Sequence, residues 1–328
     1  MTMMRAIEYR GAGGPEVLTE VDRPMPVPGP GEVLIKVAAF GLNRADVQQR
    51  RGVYPPPPGA SDIPGLEVSG TVEALGEGTE GPAVGQRVCA LLAGGGYAQY
   101  VAVAAGQVLS VPETVDLVDA AGFMEVACTV VSNLFLEAGL ARGDTVLLHG
   151  GAGGIGSMAI QLAVAAGAKV LVTASSAEKI AHCLALGASA GINYREEDFA
   201  ARTRELTDGA GADVILDVVG AKYLEANVRA LAKDGTLVVI GLQGGAKAEL
   251  NLGVLMAKRA RVVGTTLRAR PLEQKAEIVA AVKDHALPML ADGRLALSID
   301  RRFPFTQARS AHEYFDSGNH TGKIIVKI

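Results

Sequence analysis

The sequence predicts an α/β protein in which a doubly wound, six-stranded parallel sheet is inserted in a mostly antiparallel β domain. Three observations predict it. Short strand-like runs, densely punctuated by Gly, Pro and Asp, fill residues 1–125. Strands alternate with helices over residues 126–267, the order that builds a parallel sheet covered on both faces. In residues 268–328 a helical segment leads back to short strands, ending in Gly322-Lys323-Ile324-Ile325-Val326-Lys327-Ile328. If that terminal strand rejoins the first part, the middle part is an insertion and a cleft lies between two domains. A chain of 328 residues is long for one core, since single cores stop growing at roughly 250–300 residues.

Within the first part, residues 4–10, 15–24, 31–41, 66–76, 85–92, 96–103 and 107–113 each show local apolar–polar alternation between turn residues, as in a barrel or sandwich. Residues 41–50 read as a polar helical turn. Tyr54-Pro55-Pro56-Pro57-Pro58-Gly59 is a stiff run that cannot join a central strand, and it holds Tyr54 with little extra loss of entropy. In the middle part, strands are expected at 145–149, 169–173, 190–193, 213–219, 236–241 and 261–266, the last pair joined by a loop and a short helix. After Pro271 a helical segment runs to about residue 290, and the last forty residues are expected to be strands.

The organising stretch is His149-Gly150-Gly151-Ala152-Gly153-Gly154-Ile155-Gly156. It follows a strand and opens a helical pattern at Ile155, Met158, Ala159, Leu162 and Ala163. In such a turn Gly151 allows the tight bend, Gly153 lets backbone N–H groups approach a pyrophosphate, and Gly156 lets helix and strand pack closely. The helix end adds unpaired N–H donors and the positive end of its dipole. With 41 glycines in the chain, the motif alone is weak evidence, and its strand and helix flanks make it strong. The residues expected on a dinucleotide are Gly151, Ala152, Gly153, Gly154, Ile155 and Gly156.

Which dinucleotide is read from the tip of the next strand. There a carboxylate usually takes the adenosine ribose hydroxyls of NAD. Here it reads Thr173-Ala174-Ser175-Ser176-Ala177-Glu178-Lys179, where Ser175, Ser176 and Lys179 suit a 2′-phosphate, so NADPH is expected. In the alternative reading Ser176 only caps the following helix and Lys179 only faces solvent. Glu178, if turned inward, weakens the preference for phosphate.

Composition narrows the class. With 49% apolar and 20% charged residues the chain folds, and a net charge of −4 without a basic stripe excludes a nucleic-acid surface. No apolar run reaches the roughly 20 residues of a membrane span, and Met1–Arg10 lacks the apolar stretch of a signal peptide, so a cytoplasmic protein is expected. Cys89, Cys128 and Cys183 lack metal or disulfide spacing and read as inert thiols. His149 reads as structural. His182, His285, His312 and His320 show no ligand spacing.

At this point the chain resembles a known family over essentially its whole length. A GroES-like β domain, a six-stranded Rossmann domain and a C-terminal return match the medium-chain dehydrogenase/reductase superfamily. The segments LNRADVQQRRGVYPPPPGAS, LLAGGGYAQY, GGAGGIGSMAIQLA, INYREEDF, ILDVVG and GKIIVKI are similar to its zinc-free quinone oxidoreductases, the p53-inducible subgroup in particular. The resemblance implies NADPH-dependent reduction of a quinone or related small electrophile, and a homodimer. It places Asn43, Asp46 and Tyr54 near the nicotinamide, and Thr129, Tyr194, Gly241 and Leu242 on the cofactor. Local alternatives stay open: Asn43 and Asp46 cap the helical turn, and Tyr54 covers the proline loop.

Zinc-dependent members of the superfamily use a Cys, a His and a second Cys as catalytic ligands. At those places this chain has Asn43, Leu66 within Gly65-Leu66-Glu67, and Glu125 with Cys128 one turn on. Leu66 binds no metal, so no zinc is expected, and ordinary alcohol oxidation is disfavoured without a Lewis acid. Two rivals share these features: an enoyl or alkenal double-bond reductase, and an NADPH-binding sensor or interaction protein with little turnover. The last strand of the parallel sheet is an unpaired edge that invites a second copy of the chain.

Overall fold

The computed structural model describes residues 2–328, whose contacts gather into two compact units. The first comprises the residues up to Cys128 together with Leu267–Ile328, and the second is Thr129–Thr266.

In the first unit, β1 (Met3–Tyr9) and β2 (Leu18–Pro24) form an antiparallel pair. A second sheet holds β3 (Glu32–Gly41), β4 (Glu67–Leu75), β5 (Arg87–Leu91), β6 (Tyr100–Ala104) and β7 (Val108–Ser110), with neighbours antiparallel. The helix α1 (Arg44–Arg50) leaves the end of β3, and α2 (Met124–Val130) follows the sheet. The core is built from alternate strand positions, Val33, Ile35, Val37, Val68, Val72 and Val88, around Phe40 stacked on Tyr97 at 4.1 Å.

The helical stretch Asp119–Glu137, which contains α2 and ends in a π-helical Val131–Glu137, is long and apolar enough to cross a membrane. It is 78% buried within the protein, as a core helix is.

The second unit is a six-stranded parallel sheet: β8 (Thr145–His149), β9 (Lys169–Ala174), β10 (Ala190–Asn193), β11 (Ala212–Asp217), β12 (Leu231–Val239) and β13 (Arg261–Gly264). Its spatial order is β10-β9-β8-β11-β12-β13, so the direction of winding reverses between β8 and β11. That is the doubly wound dinucleotide-binding order the sequence predicts, with ligand expected at the reversal. The connecting helices are α3 (Gly154–Ala165), α4 (Ala177–Ala185), α5 (Phe199–Leu206), α6 (Leu224–Ala230) and α7 (Leu252–Lys258). Leu147, Leu171, Ile192, Ile215 and Leu237 form the buried centre. The strand expected at 213–219 stops at Asp217, because its carboxylate takes the N–H groups of Val219 (2.6 Å) and Gly220 (3.0 Å) and turns the chain.

In the C-terminal part, the expected single helical segment is two helices, α8 (Leu272–His285) and α9 (Leu287–Ala291). Pro288, in the first turn of α9, has no N–H to continue the preceding helix. The last forty residues are not strands alone. Between β14 (Ile299–Pro304) and β15 (Lys323–Lys327) lies α10 (Ala308–Ser317), which buries Ala308, Ala311, His312 and Phe315 at helical spacing. The strand β15 pairs antiparallel with β3, Val326 opposite Phe40, and parallel with β14.

Candidate functional site

Where β3 ends, β4 begins and β15 begins, three side chains meet out of water. Lys323 Nζ lies 2.6 Å from Glu67 Oε1, 2.7 Å from Asn43 Oδ1 and 2.9 Å from the Leu42 carbonyl, so its three hydrogens face three oxygens. Asn43 Nδ2 donates to Glu67 Oε1 at 3.0 Å and to the Gly41 carbonyl at 3.4 Å. The first residues of α2 close the other side, with the Glu125 N–H donating to Glu67 Oε2 at 3.0 Å. Gly41 is required here, since a Cβ would stand 2.5 Å from Glu67 Oε1 and 2.6 Å from the Ala121 carbonyl. Burial, then the charge of Glu67, push the Glu125 carboxyl up to about 8.

Asn43 also starts α1. Its N–H donates to Asp46 Oδ2 at 2.8 Å, so Asn43 and Asp46 do cap the helical turn. Asp46 is fully buried, which raises its carboxyl to about 6 against the opposing pull of the Asn43 N–H, Lys323 and Arg268. Tyr9 donates to the Asp46 carbonyl at 3.2 Å. At the far end of α1, Arg50 donates to His312 Nδ1 at 2.9 Å and pairs with Asp316. A guanidinium has no acceptor, so Nδ1 of His312 accepts and its hydrogen sits on Nε2, 3.0 Å from the Tyr97 hydroxyl. Burial, then Arg50, lower His312 to about 3, and the ring is neutral.

Tyr54 is half-buried and its ring lies over the Arg268 guanidinium, 5.5 Å from centroid to Cζ. Arg268 donates from Nε to the Ala93 carbonyl (2.8 Å) and from Nη2 to Gln49 Oε1 (2.7 Å). Since Gln49 belongs to α1, the structure brings Asn43, Asp46 and Tyr54 into one neighbourhood. Glu67, Lys323, Arg268 and Gln49 join them without having been predicted as site residues.

In the second unit the predicted cofactor residues other than Thr129 follow the C-terminal ends of the parallel strands. A Cβ on Gly156 would stand 2.4 Å from the Gly151 carbonyl, and one on Gly151 would stand 2.7 Å from Val172 Cβ, so both are glycines for packing. Gly153 is different. It is the N-cap of α3 at φ −78°, and a Cβ there would meet nothing nearer than the Gly150 carbonyl at 3.5 Å. The fold leaves this space open in front of a helix N-terminus, as a cradle for a phosphate requires. Ala152, Gly154 and Ile155 complete the turn and first helical residues.

Ser176 caps α4, its Oγ accepting from the Lys179 N–H at 3.3 Å, with Ser175 and Lys179 partly exposed beside it and Glu178 exposed. Tyr194 is 39% exposed just beyond β10, edge-on to Tyr223, and its N–H meets the Ala174 carbonyl at the end of β9. Gly241 lets the chain after β12 pass Val218, whose carbonyl a Cβ would meet at 2.7 Å, and Leu242 beyond it is 58% exposed. Thr129 is nearly buried; its carbonyl accepts from Asn133 Nδ2 at 2.8 Å. Beneath these residues Asn227 donates from Nδ2 to Asp217 at 3.1 Å, leaving its Oδ1 to accept from His149 Nε2 at 2.7 Å. His149 Nδ1 then accepts from the Thr173 hydroxyl at 3.0 Å. Burial lowers His149 to about 4, which makes it a neutral strut tying β8, β9, β11 and α6.

Comparison with known proteins agrees with this geometry. Residues 29–113 match the alcohol dehydrogenase GroES-like domain family, and residues 154–283 match the zinc-binding dehydrogenase family. A Pseudomonas aeruginosa protein named quinone oxidoreductase is 33% identical over 330 residues, covering 99% of each chain. The chain belongs to the quinone oxidoreductase family of the medium-chain dehydrogenase/reductase superfamily. The Escherichia coli quinone oxidoreductase solved with NADPH superposes with a TM-score of 0.90 at 30% identity, covering 99% of this chain and all of that one. A structure titled NAD-dependent alcohol dehydrogenase superposes nearly as well, at 0.87 with 29% identity and 99% coverage of this chain. Overall likeness therefore does not choose the substrate, and the site residues must.

The residues present do not fit the catalytic zinc of the zinc-binding relatives. Leu66 offers no donor, Glu67 and Asn43 hold an ammonium group, and among the described residues no three His, Cys, Asp or Glu side chains converge. They do fit a dinucleotide, on the evidence of the open Gly153 cradle.

Proposed function

We propose that the protein is an NADPH-dependent, zinc-independent quinone oxidoreductase that acts in the cytoplasm. The observation that carries the reading is the Lys323–Glu67–Asn43 cluster: a protein ammonium neutralises the carboxylate beside which zinc-dependent relatives hold their metal. Without a Lewis acid, reduction suits an acceptor that is electrophilic already, such as a quinone. The names of the full-length relatives and the NADPH in the Escherichia coli structure support the same conclusion.

When bound, NADPH supplies the hydride. The protein's part is to hold and orient. Gly151, Gly153 and the first turn of α3 receive the pyrophosphate. Ser175, Ser176 and Lys179 meet the 2′-phosphate, a helix cap and an anion site using the same helix end. Tyr194, Gly241 and Leu242 border the adenosine side, and Thr129 the nicotinamide side. Tyr54 presents a ring against the acceptor. Asn43 acts by position, because both its amide hydrogens and its Oδ1 are engaged, and Asp46 holds the Asn43 N–H through Oδ2.

The strand β13 pairs only with β12 and leaves an exposed edge, Arg261–Gly264, on which a second copy adds in two-fold symmetry.

The test is NADPH and NADPH-versus-NADH oxidation with para- and ortho-quinones beside enones and alkenals, on protein assayed for metal. Quinones turning over best with NADPH, at no stoichiometric zinc, is the expected result. Enones alone make it a double-bond reductase, and tight NADPH binding with no acceptor consumed makes it a binding protein. The Lys179→Ala variant is expected to lose NADPH affinity about tenfold or more and NADH affinity little. Equal losses defeat the 2′-phosphate assignment.

A further inference from the structure

Arg268 is held differently from Lys323 and Arg50, two other buried cations of the first unit. Lys323 has a carboxylate among its three oxygens and Arg50 has Asp316, whereas the hydrogen-bond acceptors of Arg268 are both neutral, Ala93 O and Gln49 Oε1. The residue is only 4% exposed, and Nη1 is buried with no hydrogen-bond partner. A guanidinium does not relieve such a donor by losing a proton, as a buried lysine does. Only an acceptor atom satisfies it. Asp46, Tyr54 and Glu125 lie within its electrostatic field, so the unpaired donor sits among the residues already placed at the acceptor side of the site. With Nε and Nη2 engaged and the Tyr54 ring centroid 5.5 Å from Cζ, Nη1 is the guanidinium nitrogen left without an acceptor.

We propose that Arg268 is a catalytic residue, its Nη1 donating to the carbonyl oxygen of the acceptor as that oxygen becomes a phenolate. This rests on the quinone reading above. Hydride brings the quinone two electrons and one proton, leaving one oxygen anionic, and water supplies the second proton. Arg268 keeps all its hydrogens throughout. Its bond to the oxygen strengthens as charge arrives, so it lowers the barrier more than it tightens substrate binding.

The experiment compares wild type with Arg268→Met, Arg268→Lys and Arg268→Ala, using an ortho-quinone for turnover and 4-nitrophenolate as a redox-inert phenolate for binding. In Arg268→Met, kcat is expected to fall about 100-fold with NADPH affinity kept within about twofold. Ethylguanidinium is expected to restore part of kcat to Arg268→Ala, which a loss of packing alone does not allow. Binding of 4-nitrophenolate, followed by its absorbance, is expected in wild type and lost in Arg268→Met. Wild-type kcat and phenolate binding in Arg268→Met overturn the proposal, and Nη1 is then satisfied by a buried water. Should Arg268→Met not fold, Arg268→Lys decides: a wild-type melting temperature with phenolate binding lost supports the proposal, and binding retained overturns it. If wild type reduces no quinone yet binds 4-nitrophenolate through Arg268, the acceptor assignment fails while the Arg268 site stands.

Discussion

The two units bury polar groups in opposite ways. In the first, whole charges are taken out of water and answered by other charges or by amides: Glu67 with Lys323, Arg50 with Asp316, Arg268 with Gln49. In the second, the buried polar chain Thr173–His149–Asn227–Asp217 carries one charge, which backbone N–H groups of Val219 and Gly220 take up. In the proposed function the first arrangement sets the field around the acceptor. The second shapes loops in which glycines and helix ends expose backbone, the cradle proposed for the dinucleotide. A charge network is sensitive to the loss of one partner, and a backbone cradle is sensitive to added atoms.

The largest expected effect breaks the charge network. Lys323→Met leaves Glu67 buried and unpaired and is expected to destabilise the protein by about 3–5 kcal/mol in denaturant unfolding. Adding Glu67→Gln is expected to recover a large share of that loss. Absence of recovery means that Lys323 matters for packing and not for charge.

Acid is expected to separate the units. Above pH 6.5 His149 is neutral folded and unfolded, and its burial has no pH dependence. Between 6.5 and about 4 the unfolded chain takes a proton that the folded site refuses, so up to about 3 kcal/mol of stability is lost as pH falls. His312, lowered to about 3, acts in the same direction in the first unit. There, however, Asp46, raised to about 6, and Glu125, raised to about 8, hold protons that the unfolded chain has released, and gain stability as pH falls. Asp217, raised by burial, offsets His149 in the same sense. Hydrogen exchange at pH 7 and pH 5 is expected to show β8 and β9 losing more protection than β3 and β4. Equal losses refute the contrast.

The glycines sharpen it further. Gly156→Ala forces a methyl against the Gly151 carbonyl and is expected to lower stability by about 2 kcal/mol. Gly153→Ala, with allowed φ and open space, is expected to change stability by less than about 0.5 kcal/mol while weakening NADPH binding about tenfold. Calorimetry and a cofactor titration on the two variants read both quantities. If Gly153→Ala binds NADPH normally, the cradle is not where the phosphate sits.

Much of the fold was legible because its signals are local. The Gly151–Gly156 turn carries its own strand and helix flanks, and the parallel strands are apolar runs between helix stops. The return of β15 was legible from the composition of one terminal strand. The helix α10 was missed although its buried positions have helical spacing, because two alanines, a histidine and a single phenylalanine make a weak apolar stripe. Lys323 reaches Leu42 and Asn43 across 281 and 280 residues, and Arg268 reaches Gln49 across 219, separations at which no spacing pattern survives. The one available signal was a lysine at the start of a closing strand whose centre is apolar, and Lys327 at its other end is exposed.

By itself, then, the sequence determined the two kinds of sheet, the dinucleotide turn, and the absence of a donor at Leu66, each being a property of adjacent residues and their side-chain chemistry. Tertiary structure decided which charges meet, that Asn43 is held by an ammonium, that His149 and His312 are neutral, and that one donor of Arg268 is left unpaired. Those are consequences of burial and of contacts between distant segments, and burial is what turns an ordinary side chain into one with a fixed proton and a fixed direction.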